Sequence, residues 1–404
     1  MSTLRRSFSP IVRPAVTVLL ALVPLLHAQA SFNSPRDMMI AVRQGDLAEV
    51  KALLRQDPNL AYTKFDGTAP LYWAAFYDRP EIARLLIANH ADLDARGFNH
   101  GTPLHAAASR GSATITALLL AAGAAVDPRA DLNYTPLHNA AAAGHADIAE
   151  LLLKHQAEVD AKTDGGETPL VFAASNGRAD VARVLLAHGA AVDARQRFGV
   201  TPVQMAALGG HADVAAVLLA NKAQVDAMTD TGWTALQMAA DAGHADVIEV
   251  LLEGGAQVNF AGRVYDTPLH CASWRGRQKA AEVLLAHRAD VSVRGRYGRT
   301  PLHSAAEGGY KDLAELLVAH KADVNATDNW GATALHYAAA TGHQEVAEFL
   351  ITHGASLKAK DKQGRTPLQY SGRSDALPFL IGEIPGEDKR AEVADLLRQH
   401  GARE

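Results

Sequence analysis

Thr135-Pro136-Leu137-His138, followed by Ala140-Ala141 and closed by Gly144, is the stretch that decides how this chain is read. Thr135 is a helix N-cap, and Pro136 takes the first helical position, where a missing donor costs nothing. Leu137 points inward. Ala140 and Ala141 keep the helix thin, so a neighbouring helix can approach closely. Gly144 ends the helix in the left-handed conformation that glycine adopts cheaply. A second helix follows, with Ile148, Leu151 and Leu152 at core spacing. Val159 then leads through a polar hairpin, Lys162 to Glu167, into the next Thr-Pro. Helices of about eight residues are unstable alone in water. Such a unit folds only by stacking on copies of itself.

The sequence supplies the copies. Met38, Leu71, Leu104, Leu137, Leu170, Val203, Leu236, Leu269, Leu302, Leu335 and Leu368 stand at one 33-residue period, unbroken from first to last. The Thr-Pro-Leu-His word recurs at 102–105, 267–270 and 300–303. A fixed period of this length marks a stack of supersecondary units. Period and signature together resemble the ankyrin repeat, over roughly residues 34–404. The resemblance implies an all-α repeat fold: an ankyrin solenoid of helix-turn-helix units with hairpin loops, about eleven repeats in one elongated domain. Repeats are numbered 1 to 11 by those phase residues.

Terminal repeats need polar outer faces. Residues 31–62 carry Asp37, Arg43, Gln44, Asp46, Glu49 and Lys51 and lack the signature, so they read as an N-terminal capping repeat. Residues 63–359 read as nine ankyrin repeats. Residues 360–404 read as a C-terminal repeat with a 14-residue insertion, because Val393 lies 23 positions after Tyr370 whereas Val346 lies nine after Tyr337. The insertion, within 372–389, holds Leu377-Pro378-Phe379-Leu380-Ile381 and reads as an apolar flap over the end of the stack.

Residues 1–30 have the organisation of a cleavable signal peptide. Arg5, Arg6 and Arg13 precede an apolar run from Ala15 to Leu26, and Ala28-Gln29-Ala30 forms an A-x-A cleavage site. The apolar run is too short for a transmembrane helix. Arg5-Arg6-Ser7-Phe8 resembles part of a twin-arginine signal, while the leucine-rich core favours the general secretory route. The expectation is an exported chain, periplasmic if Gram-negative bacterial and otherwise secreted. The combination resembles bacterial exported ankyrin-repeat proteins.

Composition is that of an ordinary globular chain, 48% hydrophobic and 21% charged. Net charge is −5, and removal of the leader's three arginines makes it −8, which gives no support to nucleic-acid binding. Cys271 is the single cysteine, so no internal disulfide is available. Eighteen histidines could suggest metal or acid–base chemistry. Their positions repeat instead: His105, His138, His270, His303 and His336 take the fourth place of the signature, and His145, His211, His244 and His343 follow the turn glycine. The fourth place lets the imidazole bond nearby backbone and the neighbouring repeat, and the place after the glycine is another one typical of ankyrin repeats. No catalytic set, cofactor motif or metal cluster stands out, and the chain reads as non-enzymatic.

Function then falls to the surface. In ankyrin proteins partners usually bind the concave side, formed by hairpin tips and the exposed face of each first helix. The resemblance places variable residues three, five and six before each phase residue and five and six after it. Those positions hold the candidate partner-binding residues Trp233, Arg263, Trp274, Arg275, Arg296, Tyr297, Arg299 and Trp330. Trp, Tyr and Arg are the types most enriched at binding hot spots. This set suggests a protein partner carrying acidic segments. The structural alternative is that these side chains pack laterally between hairpins. A carbohydrate- or envelope-polymer-binding module is the second functional reading. A less basic patch is expected near Phe65, Trp73, Phe76 and Tyr77.

Overall fold

The computed structural model describes residues 34–262, 266–372 and 387–403. The leader at 1–30, Arg263 and residues 373–386 of the insertion lie outside the described residues. The described chain folds into 22 α-helices in eleven consecutive pairs, from Pro35–Gln44 with Leu47–Gln56 to Pro367–Ser371 with Glu387–Gln399. First helices pack on first helices and second helices on second helices along the stack. Among the described residues β structure is confined to two isolated bridges, Phe65 with Thr68 and Thr327 with Thr333.

Repeat 4 shows why each unit forms. Thr135 has extended backbone and accepts the N–H of His138; the helix Pro136–Ala143 then runs to Gly144 at φ +95°. The second helix, Ala146–Lys154, buries Ile148, Ala149, Leu152 and Leu153. All eleven phase residues are buried, and a fully buried leucine side chain contributes roughly 1.5–3 kcal/mol. Paired alanines such as Ala140 and Ala141 are fully covered.

Polar ladders fix the register between repeats. In the first ladder, His138 Nδ1 accepts the Thr135 N–H at 3.1 Å, so Nε2 carries the proton and donates to the Glu167 carbonyl of the next repeat at 3.1 Å. His105, His270, His303 and His336 repeat this arrangement. Gln204 performs it with an amide: Oε1 accepts from Thr201 at 2.9 Å, and Nε2 donates to Trp233 at 3.1 Å. Burial pushes His105, His138 and His303 down to about 4, against the opposing pull of the carbonyl each one meets.

A second ladder uses the residue after the turn glycine. His211, His244 and His343 meet the carbonyls of Ser175, Leu208 and Glu307, and Arg178 and Arg277 donate to Ala142 and Asp241. Each contact satisfies a carbonyl at the open end of the preceding repeat's first helix. Further out, Asp94, Asp127, Asp160, Asp193 and Asp226 each accept a backbone N–H from the next repeat. The repeated histidines thus serve the stack.

Candidate partner-binding face

Among the described residues hairpin tips stand between successive repeats, and several are tied together by backbone. The carbonyls of Leu132, Phe198, Tyr297 and Trp330 accept N–H groups from the following tips at 3.0, 2.9, 3.0 and 2.7 Å. Leu132, Phe198 and Tyr297 stand at φ +55°, +63° and +64°. A left-handed backbone costs an L residue roughly 1–2 kcal/mol, which glycine would avoid. Leu132 and Phe198 are also 65% and 54% exposed. The tips therefore carry large apolar side chains where neither backbone nor core calls for them.

The candidate residues fall into distinct groups. Arg296 is exposed and lies over the Tyr297 ring at 5.3 Å, and the Tyr297 and Trp330 rings are 5.3 Å apart across adjoining tips. These three form one continuous surface on repeats 9 and 10. Trp274 ends the first helix of repeat 8 and is half-buried. Beside it, Arg275 donates to Asp241 at 2.8 Å, so its charge is already matched within the chain. Trp233 is half-buried against the core. Arg263 lies outside the described residues.

Arg299 requires a correction. Expected on the surface, it is 5% exposed and packs inward. Its Nη1 donates to Glu307 at 2.7 Å and its Nε to the Tyr337 hydroxyl at 2.9 Å, with the guanidinium 4.4 Å from that ring's centroid. The Tyr337 hydroxyl in turn donates to Asp328 at 2.6 Å. The cause lies one repeat further along: Tyr337 offers both a ring face and an oxygen, and the side chain reaches across to it. Repeat 11 has a related arrangement, in which Arg365 Nε and the Tyr370 hydroxyl both donate to Asp361 at 2.7 Å. Burial alone would raise Asp361, but the backbone and guanidinium of Arg365 and the hydroxyl of Tyr370 hold it below its usual value.

Two features are only weakly marked in the sequence. Arg43 reads there as a polar cap residue, yet its guanidinium lies 5.8 and 5.5 Å from the Trp73 and Tyr77 rings. Leu132 and Leu208 are exposed apolar side chains that composition does not distinguish from core leucines. Cys271 is buried, and burial pushes its thiol well above the usual range, away from reactivity. Among the described residues no group of three metal-ligating side chains converges, and no helix is long and apolar enough to cross a membrane.

Similarity to known proteins follows the same repeats. Family profiles described as ankyrin repeats (3 copies) match residues 38–130, 126–196 and 188–262, and ankyrin repeats (many copies) match 269–318, 302–351 and 337–381. The solved ankyrin repeat domain of human ASB11 is 30% identical, covering 59% of this chain and 100% of that domain with a TM-score of 0.50. No curated protein matches. The chain belongs to the ankyrin repeat family.

Proposed function

We propose that this protein is a non-enzymatic protein-binding scaffold that engages its partner through the hairpin tips and concave face of repeats 7 to 10. Ankyrin repeats are in general protein–protein interaction modules, as the family membership implies. The observation that supports this face is the run of Arg296, Tyr297 and Trp330 on adjoining tips, with Tyr297 in a left-handed backbone. A left-handed backbone carrying a large, partly exposed side chain is costly to hold, and such positions concentrate at binding sites.

Trp233, Trp274 and Arg275 extend the face, whereas Arg299 serves its interior. Because Arg275 is paired with Asp241, the basic character that suits an acidic partner rests on Arg296. The leader at 1–30 and its A-x-A site support export, with the scaffold acting in the periplasm or outside the cell. Affinity capture with the mature chain tests the reading: a protein retained by wild type and lost from Tyr297→Ala combined with Trp330→Ala supports it, and equal capture by both rejects this face.

A further inference from the structure

We propose that repeats 1 to 3 carry a second docking site, for an acidic protein segment with an apolar anchor. The proposal rests on the scaffold reading and adds a separate surface with its own partner chemistry. Trp73, Phe76, Tyr77 and Phe98 form a connected aromatic patch. Ring centroids are 5.1 Å apart for Trp73 and Phe98, 5.5 Å for Trp73 and Tyr77, and 5.3 Å for Phe76 and Tyr77. The buried ring of Tyr72 lies against it, stacked with Phe76 at 6.4 Å. Phe98 is 56% exposed at its hairpin tip.

Two guanidinium groups belong to this patch. Arg43 lies over Trp73 and Tyr77, and Arg110 lies 4.9 Å from the Phe76 ring. Both are exposed, and neither has a carboxylate partner among the described residues. Several other arginines near hairpins and first helices are matched by a carboxylate within the chain. Arg129, Arg195, Arg275, Arg299 and Arg365 pair with Glu158, Asp230, Asp241, Glu307 and Asp361. Nearby acids are engaged elsewhere: Asp78 accepts from the Ser112 hydroxyl, and Asp46 caps the helix Leu47–Gln56.

A guanidinium held over a ring keeps its N–H edge available, and a carboxylate fits that edge with two parallel hydrogen bonds. The ring faces supply the apolar area for an anchor. The Trp73 indole N–H adds a specific demand, since it is shielded from solvent and has no acceptor among the described residues. An orphaned buried donor is costly, and a carbonyl or carboxylate of a docked segment removes that cost once a surrounding side chain shifts. Two positive groups over an aromatic floor repel a basic segment. The chemistry therefore selects an acidic one.

The test is fluorescence anisotropy with short labelled peptides that share a central Leu-Phe pair and carry glutamate, glutamine or lysine flanks. The glutamate peptide binds, and added salt weakens it. Arg43→Gln with Arg110→Gln weakens it about tenfold, as expected for two lost charge-assisted bonds. Phe98→Ala also weakens it. All three residues are exposed, so thermal melts of these variants match wild type. Equal binding of the glutamine peptide, preference for the lysine peptide, tighter binding of a single-stranded oligonucleotide, or no binding at all overturns the proposal. Capture of a partner through repeats 7 to 10 is read separately, so the two sites fail independently.

Discussion

His303 in repeat 9 donates through Nε2 to the Ala332 carbonyl of repeat 10 at 3.1 Å, while its Nδ1 accepts the Thr300 N–H at 3.1 Å. One neutral imidazole thus caps its own helix and fixes the next hairpin. A second proton on Nδ1 would face a donor instead of meeting an acceptor. The bond works in one protonation state.

That relationship sets an acid sensitivity. An unfolded imidazole titrates near 6.5, whereas His105, His138 and His303 are held at about 4 when folded. The folded chain favours the neutral form, so this contribution is complete above about 6.5 and is lost as pH falls from there toward about 4. Each histidine removes up to about 1.4 kcal/mol per pH unit across that window. Urea denaturation above and below the window measures it. His138→Gln with His303→Gln should flatten the dependence, because Gln204 already performs the same bonding with an amide. A slope unchanged by both substitutions contradicts the role assigned to these residues.

The inward turn of Arg299 gives a second prediction. Arg299→Ala removes a guanidinium that donates to the Glu307 carboxylate at 2.7 Å, at a site where that side chain is 1% exposed. Removing one member of a buried pair costs roughly 3–5 kcal/mol. Arg296→Ala, on an exposed side chain of the same hairpin, should change stability by less than about 0.5 kcal/mol. Equal melting temperatures for the two variants would place Arg299 back on the surface.

Two glycines separate backbone strain from close packing. Gly123 has φ +93°, and a Cβ added there would meet no atom within 4 Å, so Gly123→Ala carries only the left-handed penalty. That penalty is about 1–2 kcal/mol. Gly210 has φ +76°, and an added Cβ would lie 2.7 Å from the His244 ring. Gly210→Ala must also displace the imidazole that meets the Leu208 carbonyl, adding about 1 kcal/mol or more. Comparison of denaturation midpoints checks the difference, and identical losses would mean that the ring moves aside without consequence.

Much of the fold is legible in the sequence because its causes are local. Thr135, Pro136 and Gly144 act within their own helix, and the phase leucines repeat without interruption. Even the histidine ladder is implied by a residue recurring where a cap needs an acceptor. Surface assignment depends instead on the next repeat. Arg299 turns inward because Tyr337 stands 38 positions later, a pairing that no local pattern encodes. Arg275 loses much of its value to a partner because Asp241 lies 34 positions earlier. The aromatic residues of repeats 2 and 3 are plain to read, but their meeting with Arg43 and Arg110 belongs to the stacked structure.

Leu302→Ala offers a check on the stacked character itself. The side chain is 1% exposed, and truncation should cost about 2–5 kcal/mol. In a quasi-one-dimensional array the damage stays near repeats 8 to 10. Amide hydrogen exchange should accelerate there while repeats 2 to 5 remain protected. Uniform loss of protection along the chain would show a single cooperative unit instead.

The most direct test of the scaffold reading is affinity capture by the chain from an extract of its native cells, set against Tyr297→Ala with Trp330→Ala. The account predicts a protein retained by wild type and lost or strongly reduced with the double variant, at nearly unchanged melting temperature. Failure of the wild-type chain to retain any protein, or equal retention by both at equal stability, would contradict it.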